Sequence, residues 1–160
     1  MLALTLATGG TAPALAPAHF TSGHGWHAGA TRVHSCPGVP RSRCEQVESW
    51  ASTVRFRDCG NCLPPRKTLV ELPKAGVVIQ LILGREATAK HRRALAWPPV
   101  ILSRDVVGPI EGGPERIGSV QRFGVVHGLN AYLYLFFGRR HPTASQLARV
   151  NAELRTTRLP

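Results

Sequence analysis

Four stretches carry an apolar pattern strong enough to predict elements. Val77-Val78-Ile79-Gln80-Leu81-Ile82-Leu83 is apolar on both faces of an extended chain and rich in β-branched residues. It predicts a strand buried in the middle of a sheet, closed by Gly84. Residues 117–126 and 131–137 predict two further strands, joined by a four-residue hairpin loop over His127-Gly128-Leu129-Asn130. The second of them, Ala-Tyr-Leu-Tyr-Leu-Phe-Phe, has large residues on both faces and is expected to be central. The fourth stretch is helical. Leu147, Val150 or Asn151, and Leu154 recur at helical spacing, Thr143 is a good N-cap, and Gln146 three residues on completes a capping box. This amphipathic helix, over about residues 144–156, is expected to lie across the sheet.

Weaker patterns fill in the rest. Residues 49–57 alternate, with Trp50, Val54 and Phe56 on one face and Arg55 and Arg57 on the other, which predicts a strand. Residues 68–72 fit one helical turn before Pro73, and Lys74-Ala75-Gly76 a turn. Ala87 to Ala96 has helical composition but a weak apolar pattern, and Trp97-Pro98-Pro99 breaks whatever precedes it. Residues 100–102 and 106–107 are short strand candidates, and 108–115 is a loop rich in Gly and Pro. The fold class expected is α+β, with five or six mostly antiparallel strands and a carboxy-terminal helix packed on them.

The amino end reads differently. Residues 1–31 hold no charged side chain. An apolar start, Met-Leu-Ala-Leu-Thr-Leu-Ala, is followed by small and helix-breaking residues and by Ala16-Pro17-Ala18. That pattern fits a signal peptide over residues 1–18 cut after Ala18, with Ala12-Pro13-Ala14 as a second cleavage option. The basic n-region is missing, which fits a start codon placed too late. Residues 19–46 then read as a flexible lead-in rich in Gly and His, and 47–160 as one compact domain. A disordered Ala/Pro/Thr tail is the plainer alternative for the first residues.

Cysteine usage agrees with export. Cys36, Cys44, Cys59 and Cys62 are even in number and clustered, which in an exported chain reads as two disulfides. Three pairings are possible. A strand over 49–57 would span about 27–30 Å at about 3.3 Å per residue, whereas bridged Cα atoms lie within about 7 Å. That favours the local bridges Cys36–Cys44 and Cys59–Cys62, and it weakens a four-cysteine zinc site. Cys59-Gly60-Asn61-Cys62 has the spacing of a redox pair, but Leu63-Pro64-Pro65 does not favour the helix that such a pair opens.

Charge changes the picture less than its size suggests. The 160 residues carry 20 Lys+Arg against 9 Asp+Glu, a net charge of +11. Such an excess is the usual footprint of a nucleic-acid binder. Here 17 of the 20 bases are Arg and only Lys67, Lys74 and Lys90 are Lys. With abundant Ala, Gly and Pro, that skew is what a GC-rich genome produces without functional cause. There is no run of five bases and no basic helix, so nucleic acid is not the partner expected. An anionic cell-wall polymer or a membrane surface suits the charge better. No stretch is long and apolar enough for a membrane-spanning helix.

Several local patterns together resemble a group of small exported proteins of actinobacterial type. They are Trp50-Ala51-Ser52-Thr53-Val54 leading into Arg57-Asp58-Cys59, Gly76-Val77-Val78-Ile79-Gln80, Trp97-Pro98-Pro99, Phe136-Phe137-Gly138-Arg139, Pro142-Thr143 and Gln146-Leu147-Ala148-Arg149. The resemblance covers roughly residues 24–158. It implies export and one compact domain, and no chemistry.

Candidate sites are few. In Gly138-Arg139-Arg140-His141-Pro142-Thr143 a central strand meets the start of the helix. Helix N-termini attract anions through free N–H groups and the helix dipole, and Arg can grip such a group bidentately. Arg139, Arg140, His141 and Thr143 are therefore the candidate anion-binding residues; the bland alternative is that both arginines point into water. His19, His24, His27 and His34 form a second cluster. Cleavage after Ala18 would give His19 a free amino group, the starting point of a copper-binding histidine brace, though incidental weak metal binding is the simpler reading. No nucleophile elbow, phosphate loop or dinucleotide fingerprint is present. Glu111 and Glu115 flank a loop with nothing to fix their separation, and His127 is expected in solvent. No catalytic residue, metal site or cofactor is implied. The function expected is a non-catalytic envelope protein with an anionic ligand. The alternatives are an exported enzyme whose site is dispersed in sequence, or a nucleic-acid binder.

Overall fold

The strand expected from Val77 onward sits at the middle of a five-stranded antiparallel sheet. The structure, a computed structural model, describes residues 14–21, 23, 25–33, 45–55, 66–85, 93–111 and 113–160. Its elements in chain order are β1 (His27–Val33), β2 (Glu45–Ser52), α1 (Arg66–Glu71), β3 (Val77–Arg85), a 3₁₀ turn (Ser103–Asp105), β4 (Gly118–Val126), β5 (Leu129–Phe137) and α2 (Ala144–Thr156). The strand order is β1-β2-β3-β5-β4. The α+β class and the closing helix are as the sequence predicts.

Register explains why β3 and β5 are apolar on both faces. Val77, Ile79, Leu81 and Leu83 pair with Phe137, Leu135, Leu133 and Ala131 on one face. They pack there with Val150 and Leu154 of α2. On the other face Val78 and Phe136 pair and join Leu69, Leu72 and Ile117 in a smaller cluster under α1. β3 and β5, two of the three inner strands, are thus covered by α2 on one face and, at the end near α1, by the smaller cluster on the other. Arg116 closes α1 by donating to the carbonyls of Val70 at 2.6 Å and Leu72 at 2.8 Å, which satisfies acceptors the helix end leaves open.

Three expectations need correction. The strand expected over 49–57 ends at Ser52 and begins at Glu45. The chain turns there because the Ser52 hydroxyl accepts from the Val54 N–H, and Thr53 N–H donates to the Val77 carbonyl. The observed strand still lies between Cys44 and Cys59, and all four cysteines, with the pairings expected of them, lie outside the described residues. The four-residue hairpin loop is a two-residue turn. Val126 pairs with Leu129, and His127 and Gly128 take φ of 49° and 78°. Positive φ at both central residues is what a tight hairpin needs to follow the strand twist. Finally, part of the expected lead-in is β1, paired with β2 from His27↔Ser52 to Val33↔Gln46. Ahead of it, Leu15, Ala18, Phe20 and Trp26 are buried in the main core.

That arm is held by backbone donors on side-chain acceptors. The N–H of Leu15 donates to Glu45 Oε1 at 2.6 Å, that of Ala18 to Ser49 Oγ at 2.9 Å, and that of Thr21 to Glu153 Oε1 at 2.6 Å. His19 and Arg158 exchange two backbone bonds, which fastens the arm to the chain after α2.

Candidate functional site

The head of α2 is built by Gln146. Thr143 is the N-cap, and its hydroxyl accepts from the Gln146 N–H while Gln146 Oε1 accepts from the Thr143 N–H. The same buried side chain donates through Nε2 to the carbonyls of Lys74 at 3.1 Å and Gly76 at 3.2 Å. One glutamine thus caps the helix and pins it to the turn before β3. Gly138 makes the approach possible, because a Cβ there would run into the Pro73 carbonyl.

This docking opens a cavity of 280 Å³ lined by Lys74, Ala75, Arg139, Thr143, Ser145, Gln146 and Arg149. Three cations converge on it from the turn, the β5–α2 connection and the second turn of α2. Arg149 is fixed from behind. Its guanidinium donates to the Gly25 carbonyl at 2.9 Å and lies 4.9 Å from the Trp26 ring centroid. Two hydroxyls and a helix N-terminus stand beside these charges, the arrangement that phosphate and carboxylate groups favour.

Of the four residues expected at this place, Arg139 and Thr143 line the cavity. Arg140 and His141 do not. Arg140 sends its guanidinium toward Gly108, beside β4, and His141 is exposed. Lys74 and Arg149 were missed because they lie far from Arg139 in the chain or on a helix face that periodicity marks only as polar. Cys36, Cys44, Cys59 and Cys62 and the histidines His24 and His34 lie outside the described residues. His19 and His27 are exposed, with the His19 amide committed to Arg158. Among the described residues no group of three His, Cys, Asp or Glu side chains is placed to hold a metal ion.

A second cavity, 520 Å³ and open, lies on the sheet face away from α2, lined by Arg93, Phe123, Gly124, Tyr132 and Tyr134. The Phe123 ring meets Tyr132 and Tyr134 edge-on at centroid distances of 5.6 and 5.8 Å. Burial raises the Tyr134 phenol above its ordinary value, so it stays a hydrogen-bond donor at neutral pH. On the same face Gln80 donates to the buried carboxylate of Glu48 at 2.7 Å, and Gln80 Oε1 has no hydrogen-bond partner among the described residues. Neither cavity is lined by His127 or His141. No described helix is long and apolar enough to cross a membrane.

No family model, no curated protein and no solved structure matches this chain.

Proposed function

We propose that this chain is an exported, non-catalytic protein of the cell envelope that binds an anionic group of a wall polymer at the head of α2. One observation carries the reading: Lys74, Arg139 and Arg149 converge on a single cavity beside the Thr143 and Ser145 hydroxyls. Three other arginines are committed within the fold. Arg116 caps α1, Arg85 pairs with Glu45 and Arg122 pairs with Asp105.

The test uses a poly(glycerol phosphate) chain as probe. The double variant Lys74→Gln/Arg139→Gln should weaken binding at least about tenfold, as expected for loss of bonds to a charged group worth about 1.5–3 kcal/mol each. Arg140→Gln/His141→Gln should change it little, since neither side chain lines the cavity. Affinity unchanged in the first variant overturns the reading. Fractionation of the native protein tests the export part, and recovery from the cytoplasm alone would refute it.

A further inference from the structure

The arm that enters the core presents one bond in an unusual setting. Ala14 is exposed and Leu15, the next residue, is only 2% exposed. The Leu15 N–H donates to Glu45 Oε1 at 2.6 Å. The other oxygen of that carboxylate, Oε2, is held by Arg85 Nη1 at 3.1 Å. Residues 12 and 14 are both Ala, the small pair that a leader peptidase reads just before its scissile bond.

We propose that the chain is cleaved between Ala14 and Leu15 and that the new α-ammonium of Leu15 pairs with Glu45. The inference rests on the export reading above. Hydrolysis breaks the Ala14 C–N bond and adds one water. Ala14 leaves as a carboxylate, and the Leu15 nitrogen takes up protons to become an ammonium. An amide at that position offers Glu45 one N–H, whereas the ammonium offers three donors and a full charge. Since Leu15 is buried in the folded chain, cleavage precedes docking of the arm.

The structure separates this bond from its competitor. A cut after Ala18 removes Leu15 from the core and breaks the bond from the Ala18 N–H to Ser49 Oγ. A cut after Ala14 keeps both. It also leaves the nitrogen where a carboxylate already waits, on the first residue of β2, fixed by its cross-strand partner Arg85. The carboxylate is about one-third exposed, with 35% of its side-chain surface open, so the pair contributes modestly and acts as a latch for the arm.

The test begins with the full gene expressed in a host that exports it. Intact mass of the exported product is expected to place Leu15 first, and Ala14→Leu is expected to leave the chain uncut at this bond. Unfolding is then followed in urea from about pH 6 to about pH 9.5, a range that brackets the ordinary α-amino value of about 7.7–8.0. A partner carboxylate raises the folded value, so the stabilisation is present at low pH and lost as pH rises through it. The exported product should show this loss, and Glu45→Gln and the uncut Ala14→Leu chain should not. Export with His19 first overturns the proposal and leaves the export reading standing. Absence of export and of any cleavage overturns both. A Leu15 terminus whose pH profile is unaltered by Glu45→Gln overturns the pairing.

Discussion

Glu153 is a carboxylate on α2 that the fold leaves only 5% exposed, with its oxygen 2.6 Å from the Thr21 nitrogen. Burial pushes its pKa above the ordinary 4.5, and the Thr21 N–H and the Arg149 charge pull the other way. The folded chain therefore holds this proton more tightly than the unfolded chain does. The contribution of Glu153 to stability is most favourable below 4.5 and is lost as pH rises through the raised value. Glu153→Gln keeps an oxygen to accept from Thr21 and removes the charge that burial disfavours. The variant should gain on the parent chain as pH rises from about 4 to about 7, seen as a growing difference between urea midpoints. A constant difference would mean that Thr21 and Arg149 already compensate the burial. Residues of this kind were not legible in the sequence. Nothing near Glu153 marks its partner as Thr21, since the contact depends on an arm that crosses the sheet from the opposite end of the chain. Lys74 and Arg149 escaped because one lies far from Arg139 in the chain and the other on a helix face that periodicity marks only as polar, whereas Arg139 and Thr143 were found because they are neighbours in sequence as well as in space.

At the level of elements, the helix was the clearest part of the sequence because its signals are local. A cap, its reciprocal glutamine and an apolar stripe all fall within a dozen residues, and α2 runs from Ala144 to Thr156 as they predict. β3 and β5 were legible because burial on both faces leaves a continuous apolar run. β1 was not. Its sequence, His-Ala-Gly-Ala-Thr-Arg-Val, has no alternation to read, and it lies at the edge of the sheet with β2 as its one extensive partner among the described residues. Gly29 is part of that pairing, since a Cβ there would collide with the Trp50 indole. The β2 boundary was misplaced because Ser52 and Thr53 end the strand through hydrogen bonds that hydropathy does not register. The capping box carries its own prediction. Thr143→Ala should destabilise the protein by about 1 kcal/mol, within a range of about 0.5–2, and Thr143→Ser by much less. Urea midpoints of the two variants check it. Equal losses would mean that the Thr143 methyl group, rather than the hydroxyl bonded to the Gln146 N–H, supports the helix.

The molecule as a whole is closed by its two ends. Leu15 and Leu154 belong to one apolar cluster, and between them the arm bonds to β2 through Ser49, to α2 through Glu153 and to the last residues through the exchange of His19 with Arg158. Each bond uses the backbone of the arm, so the contacts fix its path while its side chains fill the core. An arm held in this way is part of the cooperative unit and differs from a lead-in that frays independently. Leu15→Ala should therefore cost as much as a truncation deep in the core, about 2–5 kcal/mol. A merely adsorbed arm would detach at little cost to the rest. The companion measurement is hydrogen exchange at the Thr21 amide, which is bonded to Glu153. If the arm and α2 open together, this amide exchanges at the rate of amides in the centre of β3, and Leu15→Ala accelerates both equally. If it exchanges far faster than β3 and the variant leaves β3 unchanged, the arm opens on its own, and the sheet with α2 is the smaller unit that folds.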